Sequence, residues 1–169
     1  MFKTKNLVFM AMFLCTSLVI HYFENLIPSL VPIAGIKLGL ANCITLVVLK
    51  LYGRKSAALV LFLRIIIASL FFGGGMQFVY SFSGGILSFL VLCIIHEKVT
   101  SLAVLSAVSA VFHNAGQLLA AIFVTKISIL WWYAFPLTAA AIISGTFIGL
   151  VSGIILKNSY ILKTGNKKG

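Results

Sequence analysis

The stretch SAALVLFLRIIIASLFF at Ser56–Phe72 decides the fold class of this chain. Fourteen of its seventeen residues are apolar, and its single charge, Arg64, lies near the middle. Such a run, free of proline and glycine, is typical of a helix that crosses a membrane. The whole chain is similar, because 62% of its 169 residues are apolar and only 9% are charged. A soluble domain is about a quarter charged, so a soluble enzyme, a disordered chain and a disulfide-rich secreted domain are excluded.

Six apolar stretches of this kind predict six membrane-spanning helices joined by short loops. The predicted spans are about Asn6–Ile27, Lys37–Tyr52, Ser56–Phe72, Gln77–Ile95, Ser101–Thr125 and Ile129–Leu156. We therefore expect an all-α integral membrane protein with one six-span domain over residues 1–156. Residues 157–169 form a polar cytoplasmic tail that we expect to be disordered. The first apolar run is interpreted as a retained span, because no small-residue cleavage site follows it.

The basic residues predict how the chain lies in the lipid bilayer. With the N-terminus inside, ten of the thirteen Lys and Arg residues fall at cytoplasmic ends of the spans. This is the positive-inside pattern, so both termini are predicted to be cytoplasmic in a multi-pass protein of the cytoplasmic membrane. The formal charge of +11 then needs no nucleic-acid partner. Trp131 and Trp132 mark the outer start of the last span, as interfacial aromatic residues do.

Arg64 is the most informative polar residue, because a charge near the bilayer midplane is costly unless it has a partner. One interpretation is a structural clamp on carbonyls or polar groups of another span. The other is a ligand for an anion. His113, Asn114 and Gln117 lie together in the fifth span and are interpreted either as interhelical hydrogen-bonding groups or as the lining of a cavity.

Other polar residues are predicted to line the outer half of the bundle. Glu24 and Lys37 have similar depths, so they form either an interfacial ion pair or part of a ligand site. The complete predicted ligand-binding set is Arg64, Lys37, Asn42, Gln77, Ser81, His113, Asn114, Gln117 and Glu24. We expect the cavity between the first, second, fourth and fifth spans, gated by the loops Pro28–Ile36 and Gly73–Gly75.

Small residues recur every four positions in the last span, at Gly145, Gly149 and Gly153. This spacing lets two helices approach closely, and we interpret these glycines as helix-packing residues. Ala11 and Cys15 form a weaker pair of the same spacing in the first span.

Several absences argue against an enzyme. The chain has no Asp and two Glu, Glu24 and Glu97, so it cannot hold Mg²⁺ on a diphosphate with a carboxylate cluster. It has no phosphate-binding P-loop, so ATP-driven work would need another chain. Its three cysteines have no metal-ligand spacing. We predict neither a metal site nor a cofactor.

Four ordered motifs resemble a known membrane family. They are GIKLGLAN at Gly35–Asn42, Arg64, YSFSGGILS at Tyr80–Ser88 and HNAGQLLAA at His113–Ala121. They resemble the family labelled heptaprenyl diphosphate synthase component I, also called the Gx transporter family. That family is in turn similar in size and polarity to the S components of energy-coupling factor (ECF) transporters.

The resemblance implies two functions. The S-component similarity implies a substrate-binding subunit of an importer, docked on a transmembrane coupling subunit with ATPases. Ala11 and Cys15 stand where S components often carry an Ala-xxx-Ala docking motif. The positive charge favours an anionic small-molecule ligand, such as a flavin, a vitamin, or a prenyl or quinone precursor. This importer is our leading hypothesis from the sequence.

The family label implies instead a noncatalytic membrane subunit that assists a soluble polyprenyl (heptaprenyl) diphosphate synthase. A third possibility is a scaffold of a membrane redox assembly, although the chain has no haem or iron–sulfur ligand spacing.

Overall fold

A computed structural model describes residues 4–26, 40–72 and 74–165, and these residues are almost entirely helical. The elements are α1 (Thr4–Asn25), α2 (Asn42–Phe72), α3 (Gly74–Ile95), α4 (Leu102–Thr125), a 3-10 segment (Ser128–Tyr133) and α5 (Ala134–Gly165). Within these ranges five helices are long and apolar enough to cross a membrane. The all-helical class is thus confirmed, with five helices able to cross a membrane, whereas the predicted count of six spans is not confirmed.

The difference in span count lies in α2, which is interrupted at Gly53 (φ 81°, ψ 179°). Asn42 and Arg64, each eleven residues from Gly53, are joined by a side-chain hydrogen bond of 2.7 Å. In one continuous helix they would be about 33 Å apart at 1.5 Å per residue. The arms 42–52 and 54–72 therefore fold back on each other. Glycine suits this turn because other residues are strained at such dihedral angles.

Contacts along the helices show an alternating up-and-down bundle. Tyr52, at the end of the first arm of α2, packs on Phe9 and Phe13 near the start of α1. Phe72, at the end of the second arm, lies beside His21 and Tyr22 near the end of α1. We call the end of the bundle near Gly53 the Gly53 end. The opposite end, near Phe72 and the start of α3, is called the Gln77 end. Helix α1 starts at the Gly53 end.

The remaining helices continue this alternation. At the Gln77 end, the start of α3 contacts α1 through a hydrogen bond between Gln77 and His21. The other end of α3 returns to the Gly53 end, where Lys50 Nζ donates to the His96 carbonyl at 2.7 Å. There Arg54 Nη2 also contacts Glu97 Oε1 at 2.6 Å. Helix α5 runs antiparallel to α4, so both ends of the described chain lie on the Gly53 side.

Local signals explain several helix boundaries. Ser101 caps α4, because its hydroxyl accepts from the Val104 amide at 3.4 Å, and Lys126 ends α4 in the left-handed conformation. Pro136 lies in the first turn of α5, where a missing amide donor costs little.

Two boundaries differ from those predicted. Gly74 and Gly75, predicted to lie in a gating loop, begin α3 instead. Helix α5 continues to Gly165, through most of the segment predicted as a disordered tail. The other predicted gate, Pro28–Ile36, lies outside the described residues, as does Gly73.

Helices α4 and α5 pack closely through the glycines of α5. A Cβ added at Gly149 would lie 2.5 Å from the Leu102 carbonyl oxygen and still nearer to the Ala103 Cα, both backbone atoms. A Cβ at Gly145 would lie 2.6 Å from the Ala107 Cα. At Gly153 the nearest atom, Leu102 Cδ1, is 3.6 Å away, an ordinary contact.

We expect Gly149→Ala to destabilise the bundle by about 1–3 kcal/mol, because the new methyl group would push two helix backbones apart. Gly153→Ala is the matched control on the same stripe, and we expect it to be neutral or slightly stabilising, since Ala favours helices. Unfolding with a denaturing detergent measures both. Equal stability of the two variants would show that the α4–α5 contact is looser than described.

We expect Gly53→Ala to cost about 1–3 kcal/mol, because the backbone there favours glycine strongly. Nothing lies within 4 Å of the added Cβ, so this cost comes from the backbone and not from a clash. Gly75→Ala is the control, since it also has open space but lacks a positive φ. The same unfolding assay compares them, and a neutral Gly53→Ala would argue against the turn.

Candidate functional site

Polar side chains from four helices meet around a cavity of about 20 Å³ in the half of the bundle nearer the Gln77 end. Its wall is formed by His21, Glu24, Ala41, Asn42, Arg64, Ile65, Ala68, Ser81, His113 and Gln117. A space of this size holds about one water molecule. It is far smaller than a pocket that encloses a flavin or another vitamin-sized ligand.

Arg64 lies on the wall of this polar cavity with only 5% of its surface exposed. Its Nη2 donates to Asn42 Oδ1 at 2.7 Å, across the fold of α2. Glu24, 3% exposed, lies near enough to interact with the guanidinium electrostatically. The charge of Arg64 is thus opposed by a carboxylate from α1, an arrangement that fits the clamp interpretation of this residue.

A second buried contact joins α1 to α3. The Nε2 atoms of Gln77 and His21 are 2.8 Å apart. This short distance is a hydrogen bond between the Gln77 amide and the His21 ring. Gln77 is therefore not on the wall of the cavity but contacts His21, which is. Sequence reasoning left His21 out of the predicted site, although its spacing of three from Glu24 places both on one helix face.

Close contact between α3 and α4 brings His113 and Gln117 to the cavity. A Cβ on Gly84 would lie 2.6 Å from the His113 carbonyl oxygen and 2.8 Å from Gln117 Cγ. One on Gly116 would lie 2.8 Å from the Gly84 Cα. Only glycines allow this approach, which places the two polar side chains of α4 opposite Arg64.

Three polar atoms of the wall have no hydrogen-bond partner among the described residues. They are Asn42 Nδ2, His113 Nδ1 and Gln117 Oε1, each buried. Buried polar groups are nearly always satisfied, and a water-sized space beside them suits an ordered water or a small polar group. The described ranges hold no group of three or more His, Cys, Asp or Glu side chains placed for a metal ion.

Not every residue of the predicted set reaches this wall. Lys37 lies outside the described residues, and with it the predicted pair with Glu24. Asn114 points elsewhere, since its Nδ2 donates to the Leu137 carbonyl of α5 at 3.1 Å. Ala11 and Cys15, the predicted docking pair, lie on an exposed face of α1. The remaining predicted residues on the wall are Glu24, Asn42, Arg64, Ser81, His113 and Gln117.

Comparison with known proteins identifies one family. No curated protein and no solved structure matches the chain. Residues 13–155 match the family model described as heptaprenyl diphosphate synthase component I. This match confirms the resemblance to the component I family that the motifs predicted. The predicted similarity to the S components is not shown by it. The match covers most of the chain, and we conclude that the protein belongs to the heptaprenyl diphosphate synthase component I family.

Proposed function

We propose that this chain is a noncatalytic membrane component that works with a separate polyprenyl diphosphate synthase. The family match over residues 13–155 carries this proposal, because it includes most of every long helix. The proposal places the chain in the cytoplasmic membrane with both termini in the cytoplasm, following its basic residues.

The chemistry of prenyl transfer would belong to the partner. Such a reaction needs carboxylates to hold Mg²⁺ against a diphosphate leaving group. This chain has only Glu24 and Glu97. Glu24 faces Arg64 inside the bundle, whereas Glu97 contacts Arg54 at the Gly53 end. The two carboxylates therefore do not share a site.

The exterior of the bundle suits a membrane platform for that partner. Large apolar side chains such as Phe135, Ile143 and Trp132 are more than two-thirds exposed, and in a bilayer they contact lipid. A long polyprenyl product is itself lipid-soluble. A synthase held at this surface would release its product directly into the membrane.

The Gly53 end offers a surface for the partner. Exposed cations cluster there, namely Arg54, Lys55, Lys98 and Lys157. A synthase with Asp-rich motifs and diphosphate substrates is negatively charged near its active site. Complementary charge of this kind guides association and depends on salt.

We expect the chain, purified from its own membranes in mild detergent, to retain a soluble prenyl synthase at fixed stoichiometry by native mass spectrometry. The Lys55→Glu/Lys98→Glu double variant should weaken that association by about tenfold at low salt, because it reverses two charges of the basic surface.

Lys126→Glu is the matched control, since Lys126 is an exposed cation at the Gln77 end. It should leave the association unchanged. Retention of ATPases and a transmembrane coupling subunit in place of a synthase would overturn the proposal in favour of an importer.

The polar cavity supports a second candidate, the substrate-binding subunit of an importer for a small anion. Six of the predicted ligand residues converge there, and three buried polar atoms have no partner among the described residues. Ala11 and Cys15 would dock the coupling subunit through the exposed face of α1. The small cavity volume and the proximity of Glu24 to Arg64 make this candidate weaker than the first.

We expect Arg64→Gln to destabilise the bundle by about 3–5 kcal/mol, because it would leave the buried Glu24 carboxylate without its opposing charge. The Glu24→Gln/Arg64→Gln double variant removes both charges, so it should recover more than half of that loss. Equilibrium unfolding in detergent of the wild type, Glu24→Gln, Arg64→Gln and the double variant gives the coupling between the two residues.

If the double variant stays as unstable as Arg64→Gln, the two charges are not a structural pair. Binding of a vitamin and organic-phosphate panel to the folded double variant separates the two functions. Saturable binding by the wild type that disappears in the double variant would support the importer candidate.

A further inference from the structure

Helix α4 faces two cavities with different chemistry. His113 and Gln117 face the polar cavity, whereas Asn114, one residue further along the helix, lies on the wall of another. Consecutive helical residues are about 100° apart around the axis, so adjacent polar residues serve different neighbours. This second cavity lies between α4, the 3-10 segment and α5 and has a volume of about 150 Å³.

The wall of this cavity is mostly apolar. It is formed by Asn114, Ala115, Leu118, Leu119, Trp131, Ala134, Leu137 and Thr138. The Thr138 hydroxyl is occupied as a donor, because it bonds the Ala134 carbonyl at 2.7 Å. An apolar cavity of this volume accommodates a benzene-sized ring.

Asn114 provides an unpaired polar atom on this mostly apolar wall. It is 2% exposed, and its Nδ2 is committed to the Leu137 carbonyl. Its Oδ1 is buried without a hydrogen-bond partner among the described residues. The free atom is an acceptor, so the missing partner must be a donor. A purely hydrocarbon occupant, such as a lipid tail, would leave Oδ1 unsatisfied.

The cavity reaches the outer surface of the bundle. Leu119 and Trp131, on its wall, are 49% and 55% exposed, and both lie in segments apolar enough to cross a membrane. An occupant would therefore enter from the bilayer and must be lipid-soluble.

We propose that the cavity between α4 and α5 binds a lipid-soluble molecule with a ring-sized apolar body and a hydroxyl group that donates to Asn114 Oδ1. The inference does not depend on which function the polar cavity serves. It assigns Asn114 to a separate site from Arg64.

Tryptophan quenching tests this site in the full chain, reconstituted in phosphatidylcholine nanodiscs. The chain has two Trp residues, so Trp132→Phe leaves Trp131 as the reporter on the cavity wall. Trp131→Phe leaves Trp132, 82% exposed, as a reporter of simple partitioning into lipid. The probes are 4-bromophenol, which carries the hydroxyl donor, and 4-bromoanisole, which lacks it.

We expect saturable quenching of Trp131 by 4-bromophenol. Its half-saturation concentration should be about fivefold lower than that of 4-bromoanisole, because one neutral hydrogen bond contributes about that much to affinity. Quenching of Trp132 should rise linearly with both probes. Asn114→Ala should make the two probes equivalent at Trp131.

Since Asn114→Ala also removes the bond to Leu137, Ala115→Phe provides a second variant that keeps this bond and fills the cavity. It should abolish the saturable component for both probes. Linear quenching of Trp131, or saturable quenching that is equal for the two probes in the wild-type cavity, would overturn the proposal.

Discussion

The bundle is organised around one constraint, the need to satisfy the charge of Arg64 within an apolar protein. Lipid offers no hydrogen-bond partner to a buried guanidinium, so the partners must come from the chain itself. Asn42 provides one because α2 folds back at Gly53. Glu24 opposes the charge because α1 lies beside that fold. The turn, the packing of α1 and the polar cavity together meet this requirement.

Helix α4 is the second organising element, because it is packed closely on both sides. Gly84 and Gly116 let it approach α3, and Gly145 and Gly149 let it approach α5. Backbones in such contact hold side chains in fixed directions. The polar residues of α4 are therefore divided between a small polar cavity and a larger apolar one, with separate chemistry on the two sides of one helix.

Six of the residues predicted to bind a ligand line the polar cavity, but their arrangement could not be predicted. Arg64, Asn42 and His113 were predicted as site residues from their cost in a membrane, and all three reach the polar cavity. Asn114 was predicted for the same site and lies in the other, because depth along a span does not tell which neighbour a residue faces. His21 was left out, although it lies three residues before Glu24 and therefore on the same face of α1. The count of six spans was not confirmed, because residues 42–72 form one helix interrupted at Gly53, and its first arm, 42–52, is too short to cross a bilayer by itself.

The amino-acid sequence was enough to predict a helical membrane protein, to show a charge strongly biased to Lys and Arg, and to show too few carboxylates for a metal–diphosphate site. These properties depend only on which residues are present and in what order. The tertiary structure decided which polar groups meet, and it set the two cavity volumes of about 20 and 150 Å³. Those properties depend on the rotation and spacing of packed helices, where a shift of one ångström closes a cavity or separates a hydrogen-bonded pair.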